Sequence, residues 1–235
     1  MADLASSVSG VAALAEPVRR DLYLFVSAQD SPVSREQAAE GVGVAAHTAK
    51  FHLDRLAAEG LLVTEYRRLG GRRGPGAGRP TKLYRRSARE VSVTLPPRRY
   101  DLAGALMARA IESSAERGKP VLEALHQEAA QLGHELGEEA RDRVRNEPPG
   151  AAVLEVLAAH GYEPRESDDA ITLANCPFHA LAQEHTKLVC GMNLALLSAA
   201  AEAGGAGHLT PSLDPAPGRC CVVLGCTGSA GAGAT

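Results

Sequence analysis

The stretch SPVSREQAAEGVGVAAHTAKFHLDRLAAEGLL, residues 31–62, decides how the first part of the chain folds. Ser31 and Pro32 offer a turn. Ser34 stands three residues before Gln37, the spacing at which the two side chains satisfy each other's backbone N–H groups at a helix start. A short helix over 35–40 is expected, broken by Gly41 and Gly43, because glycine takes helix-ending backbone conformations at no steric cost. A longer helix over 44–59 follows, with Ala49, Leu53, Leu56 and Ala57 on one stripe. Gly60 stops it, and Leu61 and Leu62 return to the core. Short helix, glycine turn and longer helix form a helix-turn-helix pattern.

Working outward, residues 11–29 place Leu14, Val18, Leu22 and Phe25 at helical spacing and read as one first amphipathic helix. On the other side, LLVTEYRR (61–68) and TKLYRR (81–86) are strand-like and flank the Gly/Arg-rich tip GGRRGPGAGRP (70–80), a hairpin with a long loop, or wing. Residues 1–100 carry 16 Lys and Arg against 10 Asp and Glu, and the remainder 9 against 18, so the net charge of -3 conceals a basic first half. Between 65 and 99 the balance is 11 basic to 2 acidic. The partner of this half is expected to be polyanionic, a double-stranded DNA operator, with steep salt dependence. Outward positions of the longer helix are Ala45, Ala46, His47, Lys50, Phe51 and Arg55. Small residues there allow approach to base edges, and Lys50 and Arg55 reach phosphates or bases. Arg72, Arg73, Arg79 and Lys82 of the wing extend the same surface. His52 reads as a histidine packed or hydrogen-bonded between helices.

Beyond a linker at 91–97, helices are expected over 100–116 and 121–145, separated by Gly118-Lys-Pro120 and closed by Pro148-Pro-Gly150. The last part mixes types: helix at 151–160, a short hairpin from 162–165 and 170–173, largely helix over 179–203, a strand at 220–224 and a disordered tail from Gly225. The fold class is therefore mainly α with an α+β C-terminal domain. It divides into a winged helix-turn-helix domain at 1–95, a helical linker and dimerisation segment at 96–150, a cysteine-containing sensor domain at 151–224 and the tail. Neither a leader-like segment nor a run of eighteen apolar residues is seen, so no membrane partner is expected and a cytoplasmic location, where thiols stay reduced, is.

All five cysteines lie at or beyond residue 176: Cys176, Cys190, Cys220, Cys221 and Cys226. The gaps between Cys176, Cys190 and Cys220 are too wide for a zinc ribbon or a ferredoxin loop, so any common site must be assembled by the tertiary fold. Adjacent residues of a strand point to opposite faces, so only one of Cys220 and Cys221 is expected to enter such a site, with Cys220 favoured. Cys226 is left outside it. The remaining position is open to His179, His185 or Cys221. Zinc with a Cys3His set competes with an iron–sulfur cluster, and buried cysteines that merely pack are the plain alternative.

Two groups of residues carry a resemblance. HTAKFHLDRLAAEGLL (47–62), GRPTKLYRR (78–86) and VSVTLPPRRYDLAG (91–104) resemble the winged-helix regulators of the broad ArsR/DeoR-like group. NCPFHALAQEHTKLVCGMN (175–193) with APGRCCV (216–222) resembles the SufR-type iron–sulfur repressors. That resemblance implies a homodimer on a pseudo-palindromic operator, acting as a repressor, with an iron–sulfur cluster ([4Fe–4S] favoured, [2Fe–2S] the other form) on Cys176, Cys190 and one of Cys220 and Cys221.

An enzyme is not expected. Neither a G-x-S-x-G nor a GxxxxGK[ST] segment occurs, and a Cys190/His185 nucleophile pair lacks an orienting third group. The rival reading is a small-molecule-responsive regulator whose C-terminal part encloses an apolar ligand. In the cluster reading the helix at 100–116, apolar along Leu102, Leu106, Ala110 and Ile111, is expected to carry the sensor's state to the reader.

Overall fold

The computed structural model describes residues 2–68, 80–143, 148–167 and 169–226. Arg72, Arg73 and Arg79 lie outside the described residues. The chain divides into two compact units, Met1–Val93 and Thr94–Thr235.

The first unit runs α1 (Ala2–Ala13), α2 (Pro17–Ser27), β1 (Val33–Ser34), α3 (Arg35–Val42), α4 (Ala46–Ala58), β2 (Leu62–Arg67) and β3 (Thr81–Arg86). The single helix expected over 11–29 is two helices. Glu16 accepts hydrogen bonds from the Val18 and Arg19 amides, at 3.2 and 2.6 Å, and Pro17 takes the first helical position. Proline there has no N–H to lose, whereas inside a continuous helix it would break one bond and clash.

Ser34 and Gln37 form the reciprocal cap, Gln37 N to Ser34 Oγ at 3.2 Å and Ser34 N to Gln37 Oε1 at 2.8 Å. Gly43 ends α3 in the left-handed conformation, at φ 75°. β2 and β3 pair antiparallel from Leu62 with Arg86 to Arg67 with Thr81, and β1 adds to the other side of β3. Leu22, Val26, Leu53, Leu56, Leu62 and Tyr84 are buried beneath these elements.

The second unit runs α5 (Tyr100–Arg117), α6 (Val121–Arg143), α7 (Pro149–Ala159), β4 (Pro164–Glu166), β5 (Ala170–Leu173), α8 (His179–Glu184), α9 (Thr186–Ala203), β6 (Leu209–Leu213) and β7 (Val222–Cys226). Its sheet is antiparallel throughout, in the order β4-β5-β7-β6. The helix expected over 179–203 breaks at His185. The strand expected at 220–224 starts two residues later and extends to Cys226, so Gly225, taken as the start of a disordered tail, is a paired strand residue.

The main helical contact of this unit is α6 on α9, and glycine makes it close. Gly133 lies over the Leu196 carbonyl, and a Cβ on Gly137 would come within 2.6 Å of the Ala200 carbonyl oxygen. Leu106, Leu125, Leu157, Phe178 and Leu196 fill the core between helices and sheet. Ile111, expected on the apolar side of α5, is 59% exposed, while Leu106 and Ala110 are buried. Among the described residues no helix is long and apolar enough to cross a membrane.

Candidate functional site

Two places hold the chemistry, one in each unit. In the first unit, α4 buries Ala49, Leu53 and Leu56 and leaves Ala45, Ala46, His47, Lys50, Phe51 and Arg55 on the exposed side. Phe51 is 66% exposed, an unusual position for a phenylalanine unless a partner covers it. Ala45 caps α4 without a side-chain hydrogen bond of its own.

Several expected contact residues already have anionic partners. Asp54 of α4 accepts hydrogen bonds from Lys82 Nζ at 2.6 Å, the Tyr84 hydroxyl at 2.8 Å and Lys50 Nζ at 3.1 Å. Partial burial would raise the Asp54 pKa, but the Lys82, Tyr84 and Lys50 hydrogen bonds outweigh it and bring it down to about 2. The buried Tyr84 hydroxyl is raised in turn, by burial and by the Asp54 carboxylate it donates to. Arg55 pairs with Glu59 at 2.6 Å and Arg67 with Glu65 at 2.5 Å. Arg85 and Arg86 are exposed on β3. His52 faces α2, with its Nδ1 3.4 Å from Arg19 Nε and 3.5 Å from Glu16 Oε2.

In the second unit, four cysteines come together as two pairs of sulfurs. Cys190 and Cys221 are joined as a disulfide with their Cα atoms 6.4 Å apart. Cys176 and Cys220 are free thiols hydrogen-bonded to each other. Cys176 sits in the turn after β5, Cys190 on α9, and Cys220 and Cys221 just before β7. Because these last two precede the strand, strand alternation does not sort them: Cys220 meets Cys176 while Cys221 meets Cys190. The two adjacent cysteines thus turn to different partners, as expected of neighbouring side chains. Cys226, at the end of β7, is a free, half-buried thiol outside the two pairs.

The loop carrying Cys220 and Cys221 is pinned from three sides. The Cys220 amide donates to the Leu173 carbonyl at the end of β5, and the Cys221 carbonyl accepts from the Asp214 amide, each at 2.8 Å. Arg219 bonds the Cys220 carbonyl at 3.3 Å and the Asp214 carboxylate at 2.6 Å.

A polar chain absent from the sequence reading reaches the sulfurs from the core. Tyr162, 3% exposed, donates its hydroxyl to Asn193 Oδ1, and Asn193 Nδ2 donates to Cys220 Sγ at 3.3 Å. Asn193 lies three residues after Cys190 on α9, so both project from one face of the helix. The Cys220 hydrogen bond holds the Cys176 thiol down, to about 7, against the burial that would raise it, with the Phe178 amide and Arg98 charge assisting. Cys220 is pushed up by the same hydrogen bond and by burial.

His179 and His185 are exposed at the two ends of α8, where Gln183 Nε2 is 3.1 Å from His179 Nε2. Among the described residues, no three His, Cys, Asp or Glu side chains are grouped to hold one metal ion. The donor set is nonetheless the right chemistry for iron–sulfur or zinc. It has four sulfurs, three of them on buried residues, and an amide N–H aimed at one of them.

A three-helix core, a two-residue β1 and a basic β2–β3 hairpin, with the second helix of the helix-turn-helix exposed along one face, define a winged helix-turn-helix DNA-binding module. Residues 14–65 match the family model described as a helix-turn-helix domain, which supports a DNA-binding transcriptional regulator. No curated protein and no solved structure matches the chain.

Proposed function

We propose that this regulator is a repressor whose operator affinity is set by the state of a four-sulfur site, and that the site's resident group is an iron–sulfur cluster. The observation that carries this reading is that two cysteine pairs, Cys176 with Cys220 and Cys190 with Cys221, draw three separated segments together through adjacent residues of one loop. Such a site requires the Cys190–Cys221 bond to be reduced. The four thiolates then form a complete all-cysteine set, so neither His179 nor His185 is needed as a ligand. A bound cluster supplies sensitivity to oxidants, since exposure of its irons to them leads to its loss. The protein's own contribution is to bury the sulfurs, aim the Asn193 amide at Cys220 and pin the 214–221 loop.

DNA reading is assigned to Ala46, His47, Lys50, Phe51 and Arg55 of α4, with Lys82 and the wing arginines Arg72, Arg73 and Arg79 on phosphates. A homodimer would place two such helices on successive half-sites. An uncovered apolar stripe supports it: Leu4, Val8 and Val11 of α1, at i, i+4 and i+7, are 45%, 46% and 51% exposed.

The test is iron, acid-labile sulfide and zinc analysis of anaerobically purified protein, with duplex affinity measured before and after removal of the bound group. Iron and sulfide lost in Cys176→Ser, Cys190→Ser, Cys220→Ser and Cys221→Ser, but retained in Cys226→Ser, is the expected result. A colourless protein holding zinc makes it a zinc regulator. A metal-free protein whose duplex affinity is indifferent to all five substitutions leaves only a DNA binder with packing cysteines.

A further inference from the structure

The segment on which the chain enters the second unit is fastened to the cysteine-bearing loop itself. Arg98 Nη1 donates to the Cys176 carbonyl at 3.0 Å and also to Asn175 Oδ1. Asn175 is 6% exposed, and its amide donates to the Pro97 carbonyl at 3.0 Å and the Gly161 carbonyl at 2.6 Å. The Arg99 amide donates to the Pro177 carbonyl at 3.0 Å, and the Arg98 amide to Thr94 Oγ1 at 2.9 Å. Gly161, at φ 90°, admits Pro97 so closely that a Cβ there would lie 3.1 Å from the proline's own Cβ.

Three consecutive residues, Asn175, Cys176 and Pro177, thus grip three others, Pro97, Arg98 and Arg99. Cys176 takes part twice: its thiol belongs to the sulfur site and its carbonyl holds Arg98. The N-terminal unit ends at Val93, so the gripped segment begins only a few residues after the chain leaves that unit.

We propose that this grip is a clip coupling the sulfur site to DNA binding, with Asn175 and Arg98 as positioning residues that act through it. The proposal rests on the reading that the sulfur site governs operator affinity. A change that moves Cys176, such as its sulfur leaving Cys220 for another partner, displaces the carbonyls of 176 and 177. The hydrogen bonds to 97–99 are directional and break over a small displacement. A clip of this kind is either closed or open, which is what coupling between sites requires. The buried face of α5, Leu106 and Ala110, offers only apolar packing, which is non-directional. The route therefore starts at the linker, ahead of the helix to which the sequence reading gives the task.

The test uses the full chain and a duplex it selects from a random pool. Affinity is measured at one salt concentration in two states, fully reduced and metal-free, and reconstituted anaerobically with ferrous iron and sulfide. The wild type is expected to differ between states by about fivefold or more, the ordinary range of coupling between sites. Asn175→Leu and Arg98→Met, which open the clip that the metal-free fold holds closed, are expected to bring that ratio within about twofold of one by moving the reduced-state affinity to the reconstituted value, while iron and sulfide content stay at the wild-type level. Hydrogen exchange at the Arg99 amide, slow in the wild type, reports in the same samples that the clip has opened. Because Asn175→Leu removes a buried network and can fail to fold, Arg98→Met carries the decision on its own if needed. A wild-type ratio kept in full by Arg98→Met, with the Arg99 amide exposed, overturns the clip and leaves the sensor reading standing. A wild-type ratio of one overturns the sensor reading and the clip with it.

Discussion

Replacing Asp54 by Asn is expected to weaken the fold of the N-terminal unit and tighten its hold on DNA at the same time. Asp54 is the acceptor for Lys50, Lys82 and Tyr84. Its side chain and that of Lys82 are each 34% exposed, and that of Lys50 is 56% exposed. A hydrogen bond to a charged group contributes about 1.5–3 kcal/mol when sheltered. Solvent screening reduces the Lys82 contact to about 1 kcal/mol and the Lys50 pair to about 0.3–0.5. Asparagine keeps an acceptor for Tyr84, so the net loss is about 1–1.5 kcal/mol, or some 4–8 °C per kcal/mol for a unit of this size.

The pH dependence has a definite sign. The Asp54 pKa is lowered to about 2 from an ordinary 3.8, so its contribution is full above 3.8 and is lost as pH falls through 2. The stability gap between wild type and Asp54→Asn should therefore be full at neutral pH and close in acid. Meanwhile two lysines lose their anionic partner, and each that meets a phosphate steepens the slope of log K against log salt by about 0.9. Calorimetry at pH 7 and at successively lower pH through about 2, and a salt series of fluorescence anisotropy with duplex DNA, read both effects. Lower stability with an unchanged salt slope would show that Lys50 and Lys82 do not face DNA. Unchanged stability would refute the network.

Three further outcomes are expected. Gly137→Ala should cost about 1–3 kcal/mol, more if α6 and α9 cannot separate, because its methyl group would press on the Ala200 carbonyl; urea denaturation followed by circular dichroism measures it. Tyr162→Phe leaves Asn193 Oδ1 buried without its donor and should cost about 1–3 kcal/mol, with little change in packing volume; the same denaturation curves would show no loss if the Tyr162–Asn193 bond were absent. If the proposed homodimer forms through α1, replacing Leu4, Val8 and Val11 together by Glu should lower a dimeric mass to that of a monomer in light scattering, and a mass unaltered from wild type would refute that contact.

The helix-turn-helix was legible because its determinants are local. Ser34 and Gln37 cap within one turn, and the Ala49, Leu53 and Leu56 stripe has the period of a helix. The split between α1 and α2 was also written locally, in Glu16-Pro17, but hydrophobic spacing from Leu14 to Val18 masked it. β6 escaped because Pro211 argues against a strand. At the sheet edge proline removes no ladder bond that is needed, and β6 is an edge strand. The Lys50–Asp54 pair has a visible i,i+4 spacing, whereas Lys82 reaches Asp54 only once the hairpin folds back. No pattern in the chain brings Tyr162 to Asn193, or Arg98 to Asn175. Those pairs are 31 and 77 residues apart and arise from tertiary packing alone.

The same distinction bears on why the sulfur site is built as it is. None of its three segments can hold a ligand by itself, since Cys176, Cys190 and the 220–221 pair occupy a turn, a helix and a strand approach. What brings them together is the height of α9 against α6, fixed where Gly133 and Gly137 meet the carbonyls of Leu196 and Ala200, and the anchoring of Cys220 to the end of β5. Anything that links sulfurs across these segments ties α9 and the turn after β5 to the 214–221 loop. In the proposed sensor, a signal at the sulfurs would be felt as a change in the packing around them. In the proposed clip, the hydrogen bonds between 175–177 and 97–99 would convert that change into a displacement of the backbone that leads to the DNA-binding unit.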